Sequence, residues 1–141
     1  MKILKTLAAL ALAAAITALS ALGAEELDAA PAMAAAQAWL NYVDAGDYAR
    51  SWDEGAAPFR ESISKVQWQT TLDSARTPLG VMITRKIRSA EYARTHPGAP
   101  EGEYFVIEFD TRFANRPRAI ETVTPMREAD GSWKVADYSI R

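Results

Sequence analysis

The chain has no cysteine and a single histidine, His96, among its 141 residues. Without cysteine no disulfide braces the fold, and no thiolate can hold zinc or attack a substrate. One histidine does not make a histidine-based metal site, and His96 stands beside Pro97 and Gly98 in a long turn, where such a side chain is expected to be solvated. A glycine-rich phosphate loop, a Gly-x-Ser-x-Gly elbow and a His-Glu-x-x-His helix are also missing. No catalytic residue, metal or cofactor is therefore expected. The balance of 16 basic against 18 acidic side chains gives a net charge of −2, which argues against a nucleic-acid partner.

Long apolar runs are lacking too, except at the start. Lys2 and Lys5 precede an apolar stretch from Leu7 to Leu19, and Ala21-Leu22-Gly23-Ala24 supplies the small residues of a cleavage site. The reading is a secretory signal peptide over residues 1–24, cut after Gly23 or Ala24, with the run too short to span a membrane comfortably. The organisation expected is that leader followed by one domain over residues 25–141. The mature protein would be periplasmic or secreted, with no stable membrane insertion after cleavage. Its charge is uneven: residues 25–75 hold nine acids and three bases, residues 76–141 nine acids and eleven bases.

What is present is organised around WLNYVDAGDYARSWDE, Trp39 to Glu54. Met33, Ala36, Leu40 and Val43 recur at steps of three and four, so they share one stripe of a helix starting near Ala29 or Ala30, with Pro31 in its first turn. Gly46 suits the left-handed residue past a helix end, and Asp47 the N-cap of a second helix running to about Glu54. Gly55-Ala56-Ala57-Pro58 reads as a break. A third helix starts at Ser62 or Ser64, with Val66, Trp68, Thr71 and Leu72 as its partly buried face.

After Gly80 the period becomes alternating. Strands are expected over residues 81–95, 103–114, 118–127 and 132–140, separated by turn chemistry at residues 96–102, 115–117 and 130–131. Phe105, Ile107, Phe109 and Phe113 fall on one face of the second strand, and Glu108, Asp110 and Arg112 on the other. Lys86 and Arg88 would lie across from Glu108 and Asp110. Helices followed by a four-stranded antiparallel meander make an α+β arrangement.

Several motifs in order resemble one bacterial family. They are WLNYVDAGDYARSWD, Thr77-Pro78-Leu79-Gly80 with Arg85-Lys86, the run from Pro97 to Tyr104, Glu121-Thr122-Val123-Thr124-Pro125-Met126, and Asp130-Gly131-Ser132-Trp133-Lys134-Val135. The family is domain of unknown function 4019, short exported proteins with no assigned activity. The element order and closing strand are also similar to the nuclear transport factor 2-like, cystatin-like superfamily. That resemblance implies a curved sheet wrapped around the first helix as a cone with an apolar cavity. It implies no single function, since the superfamily includes isomerases, dehydratases and non-catalytic binding modules.

Arg85 is the informative oddity. Val81, Ile83, Arg85 and Ile87 share a strand face under strict alternation, which aims a guanidinium at the apolar side. A buried arginine needs a partner, and Glu121 is one. The readings are an internal ion pair, a bulge that turns Arg85 outward, or an anion-binding group at a cavity mouth. Arg85, Glu121, Tyr42 and Trp52 are the ligand-pocket candidates, with the tryptophans core first and pocket lining second. Tyr42, Asp44, Tyr48, Asp110 and Asp137 are the residue types an isomerase would need, although Asp44 at a helix end and Asp110 on the charged face read as solvated. The expected function is a non-catalytic module binding a small molecule or a protein, the alternative a cofactor-free isomerase or lyase. A homodimer through the outer sheet face is expected to use Tyr104, Val106, Met82 and Tyr92 among its charges.

Overall fold

A computed structural model describes residues 27–141, so the expected signal peptide over residues 1–24 lies outside the described residues. Helix α1 (Ala30–Asp44) is rich in alanine, contains Val43 as its only β-branched residue, and carries Pro31 in the first turn, where no intrahelical N–H is lost. Its buried stripe is Ala32, Ala36, Trp39, Leu40 and Val43, with Met33 partly buried beside it. Gly46 takes φ +74°, a left-handed corner that a Cβ would strain. The Asp47 carboxylate then accepts from the Arg50 N–H at 3.2 Å and opens α2 (Tyr48–Asp53).

The expected break at residues 55–58 is instead the entry to another short helix, α3 (Ala57–Ser62), with Pro58 in its first turn. Pro58 is permitted there because the first N–H groups need no partner within the helix. Gly55 is tight for a packing reason: a Cβ would lie 2.5 Å from the buried Phe59 ring. Helix α4 (Lys65–Arg76) begins at Ser64 in a full capping box with Gln67. Trp68 and Leu72 are buried as expected, but Val66 and Thr71 are exposed. The buried stripe runs Trp68, Leu72, Arg76 at four-residue steps.

Strands β1 (Met82–Ala93), β2 (Tyr104–Phe113), β3 (Arg116–Arg127) and β4 (Trp133–Ile140) form an antiparallel meander in the order β1-β2-β3-β4. The architecture is α+β: helices on one face of an open four-stranded sheet. Helix α1 lies on β4 and β3 and, more lightly, on β2, and the principal core gathers Trp39, Leu40, Trp68, Phe105, Ile107, Phe109, Val123 and Tyr138 between the layers. The inner face of β1 is less covered, leaving Ile87 and Tyr92 exposed.

Two bulges in β1, between Met82 and Thr84 and between Ile87 and Ser89, break strict alternation. Met82 therefore pairs with Phe113 and Tyr92 with Phe105, on the inner face rather than the outer one assigned from parity. Tyr104 is fully buried, its hydroxyl donating to the Pro100 carbonyl as the β1–β2 loop folds back over it. Of the four residues expected on the outer face, only Val106 remains as a partly exposed one. The charge match across β1 and β2 is made by Arg88, which reaches Asp110 at 3.0 Å and Glu108 at 3.6 Å; Lys86 stands opposite Asp110 in register without an ion pair to it.

Candidate functional site: a closed charge network beside an open cleft

Between the two bulges, Arg85 pairs in register with Thr111, and Glu121 with Phe109, so both side chains point to the helix side. Arg85 Nε donates to Glu121 Oε1 at 2.8 Å. Its two terminal nitrogens grip the Asp44 carboxylate at 2.7 and 2.9 Å, a bidentate fork onto the last residue of α1. Asp44 is therefore not a solvated helix end. Arg76, from the last turn of α4, donates to Asp44 Oδ1 at 2.9 Å and to the Tyr138 hydroxyl at 3.3 Å. It lies 3.8 Å from Glu121 Oε2 and stacks over the Phe113 ring at 4.8 Å. Glu121 also accepts from Thr111 Oγ1 at 2.6 Å and from the Tyr138 hydroxyl.

The result is two arginines and two carboxylates, electrically neutral as a set. Side-chain exposure is 0% for Glu121, 5% for Arg76, 11% for Arg85 and 19% for Asp44. Such burial is tolerable because each charge meets an opposite one and most polar atoms are hydrogen-bonded. Arg76 Nε alone is buried without a hydrogen-bond partner among the described residues.

Burial by itself would raise the Asp44 pKa, but the hydrogen bonds and charges of Arg85 and Arg76 outweigh it and hold the carboxyl below its ordinary value of 3.8. Burial likewise works to lower Arg85, and hydrogen bonds from Asp44 and Glu121 reverse that, fixing it as a cation. Tyr138 is pushed far up by burial and by the neighbouring Glu121 charge, and so keeps its proton. The Asp44 shift has a definite sign. Its folded pKa is lower than its unfolded pKa, so the unfolded chain binds the extra proton, and stability present above pH 3.8 is lost as pH falls through the folded value. Urea unfolding from pH 6 down to pH 3 should show a falling midpoint, and Asp44→Asn should flatten that acid limb. An acid limb of unchanged steepness in Asp44→Asn would contradict this assignment.

Beside the network, α1 and β1 enclose a cleft of about 350 Å3 lined by Gln37, Leu40, Asn41, Arg85, Ile87 and Phe109. Three of the five Arg85 N–H groups are engaged, so two stay uncommitted among the described residues. Arg85 and Glu121 are thus brought together; Tyr42 and Trp52 are not. Tyr42 carries the Arg50 guanidinium 4.6 Å above its ring, and Trp52 donates its indole N–H to the Ile63 carbonyl at 2.8 Å with Lys65 over its face. His96 is not solvated: Nε2 lies 3.0 Å from Asp137 Oδ2, and the side chain is mostly covered. Sequence reasoning missed Arg76, although its place on the stripe of Trp68 and Leu72 was a usable signal.

An open antiparallel sheet under four helices, with an interior of paired charges, defines an α+β domain with a polar core. Residues 35–138 match the family of proteins of unknown function DUF4019, and the chain belongs to that family. No curated protein matches the sequence.

Proposed function

We propose that the protein is an exported, non-catalytic module that binds a small ligand or a protein partner in the periplasm or outside the cell. Membership of the nuclear transport factor 2-like superfamily is part of the same reading. The observation that carries it is the pairing of a closed charge network with an open cleft. Asp44, Glu121, Arg76 and Arg85 satisfy one another, so none of these four is free to exchange a proton with a substrate. Arg85, with two uncommitted donors, lines the cleft together with Gln37, Asn41, Ile87 and Phe109, a mixture of polar and apolar lining suited to a small molecule. The alternative, a cofactor-free isomerase or lyase, would draw on Tyr42, Asp44, Tyr48, Asp110 and Asp137, and of these Asp44 is held by Arg85, Asp110 by Arg88 and Asp137 by His96.

Native mass spectrometry of protein recovered from the periplasm tests the reading. The expected mass begins at residue 24 or 25, with a non-covalent adduct that leaves on denaturation and is lost in Asn41→Leu, which crowds the cleft. A mass that retains residues 1–24 would overturn cleavage and make this an anchored protein, and a chain without any adduct would overturn the small-ligand site.

A further inference from the structure

On the face of the sheet away from the helices, β1, β2 and β3 carry a groove of about 620 Å3. Five cations line it, Lys86, Arg88, Arg112, Arg118 and Arg141, with Asp110 the one acid among its lining residues. Two of the five are neutralised: Arg88 by Asp110 and Glu108, and Arg141 by Glu108 at 2.8 Å. Lys86, Arg112 and Arg118 make no ion pair with any described residue. Between them the floor is apolar, made of Ile120 and Pro117 and extended by the methylene stems of the cations themselves.

A merely solvated sheet face interleaves opposite charges across strands, as Arg88 and Asp110 do here. Three uncompensated cations around one apolar floor are a different arrangement, because their mutual repulsion is relieved only by water, salt or an anion. We propose that this groove binds a small amphipathic anion, with an apolar body along Ile120 and Pro117 and a carboxylate or phosphate group held by Arg112, Arg118 and Lys86. Guanidinium forks receive such oxyanions in bidentate fashion, and the groove falls in the size range of small-ligand sites. The chain's own charge favours this approach: nine acids against three bases over residues 25–75 turn an anion away from the helical half and toward the sheet. A nucleic acid would need a longer basic track, and Arg88 and Arg141 are already neutralised. The site lies on the opposite side of the sheet from the α1–β1 cleft and does not depend on it.

The test is calorimetric and NMR titration of the purified protein with dodecyl phosphate below its micelle concentration, alongside dodecanol and inorganic phosphate. Dodecyl phosphate should bind and shift the amides of Arg112, Arg118 and Ile120, with the two half-ligands weaker by about tenfold or more. Each of Arg112→Gln and Arg118→Gln should weaken binding roughly three- to fivefold, and the pair about tenfold or more, as loss of exposed charge pairs does. Raising the salt to screening concentrations should weaken it further. Asn41→Leu, in the other cleft, should leave dodecyl phosphate affinity and the groove amide shifts as in wild type, which separates failure here from failure of the cleft. All of the groove cations are exposed, so the variants should keep the wild-type unfolding midpoint. No binding, unchanged affinity in the double variant, or equal affinity for inorganic phosphate overturns the proposal. So do groove shifts that follow protein concentration alone, which would make the face a contact between two copies.

Discussion

Arg85→Met should destabilise the domain by roughly 3–5 kcal/mol, the range for breaking a buried ion pair and leaving a charge without its partner. The reason lies in the sum of the network. Removing Arg85 leaves Asp44 and Glu121 facing Arg76 alone, an uncompensated negative charge beside a fully buried carboxylate. Adding Glu121→Gln restores neutrality. Asp44 and Arg76 are still joined at 2.9 Å, and the new carboxamide can accept from Thr111 or Tyr138 through its one remaining oxygen. The double variant should therefore recover much of the loss, giving a coupling energy within the range of about 0.5–3 kcal/mol seen for residues in contact. Denaturant unfolding of wild type, both single variants and the double decides it. Additive, near-zero effects would mean that the network contributes nothing to stability.

Trp39→Ala should cost about as much, roughly 3–5 kcal/mol, through a different cause. Trp39 is the residue on which helices and sheet meet: its ring lies 5.3 Å from Tyr138 of β4 and 6.2 Å from Trp68 of α4. Its indole N–H donates to the Ser51 carbonyl at 2.8 Å, while the Trp68 indole donates to Ser51 Oγ at 2.9 Å. Truncation thus opens a cavity and strands a buried carbonyl at once. Trp39→Phe separates the two terms, since it keeps most of the apolar bulk and loses only the donor, at about 1–3 kcal/mol. A loss under about 1.5 kcal/mol in Trp39→Ala, measured by urea unfolding, would show that the site collapses around the smaller side chain.

Where local chemistry dictates structure, the sequence was enough. Gly46, Asp47 and Ser64 each mark a helix boundary by a backbone or capping need that only a few residues meet, and each boundary is where that need places it. Strand period likewise turned Arg85 inward and put Glu121 within reach. Period failed where a bulge intervened: Met82 and Tyr92 moved to the inner face because β1 holds two extra residues that no local signal announces. That Asp44 and Arg76 would meet was beyond reach for a related reason. Their partnership joins α1, α4 and β1 across the interior, and the chain carries no mark of which distant charges will meet. Tyr104 was misplaced because the loop that buries it comes back from outside the strand.

The packing of α1 on β4 also sets a schedule. The helix that enters the structure first finds its largest partner surface, Val135 and Tyr138, almost a hundred residues later along the chain. Until that strand has been made, Trp39, Leu40 and Val43 have nowhere complete to go, and Arg85 and Glu121 sit on a sheet whose cover is unfinished. Early elements can form only transiently, because a lone amphipathic helix of this length is marginal in water. If the chain is exported as proposed, that lateness is useful: a protein threaded through a membrane pore must stay unfolded on the near side, and this topology defers its own closure until the last strand is available.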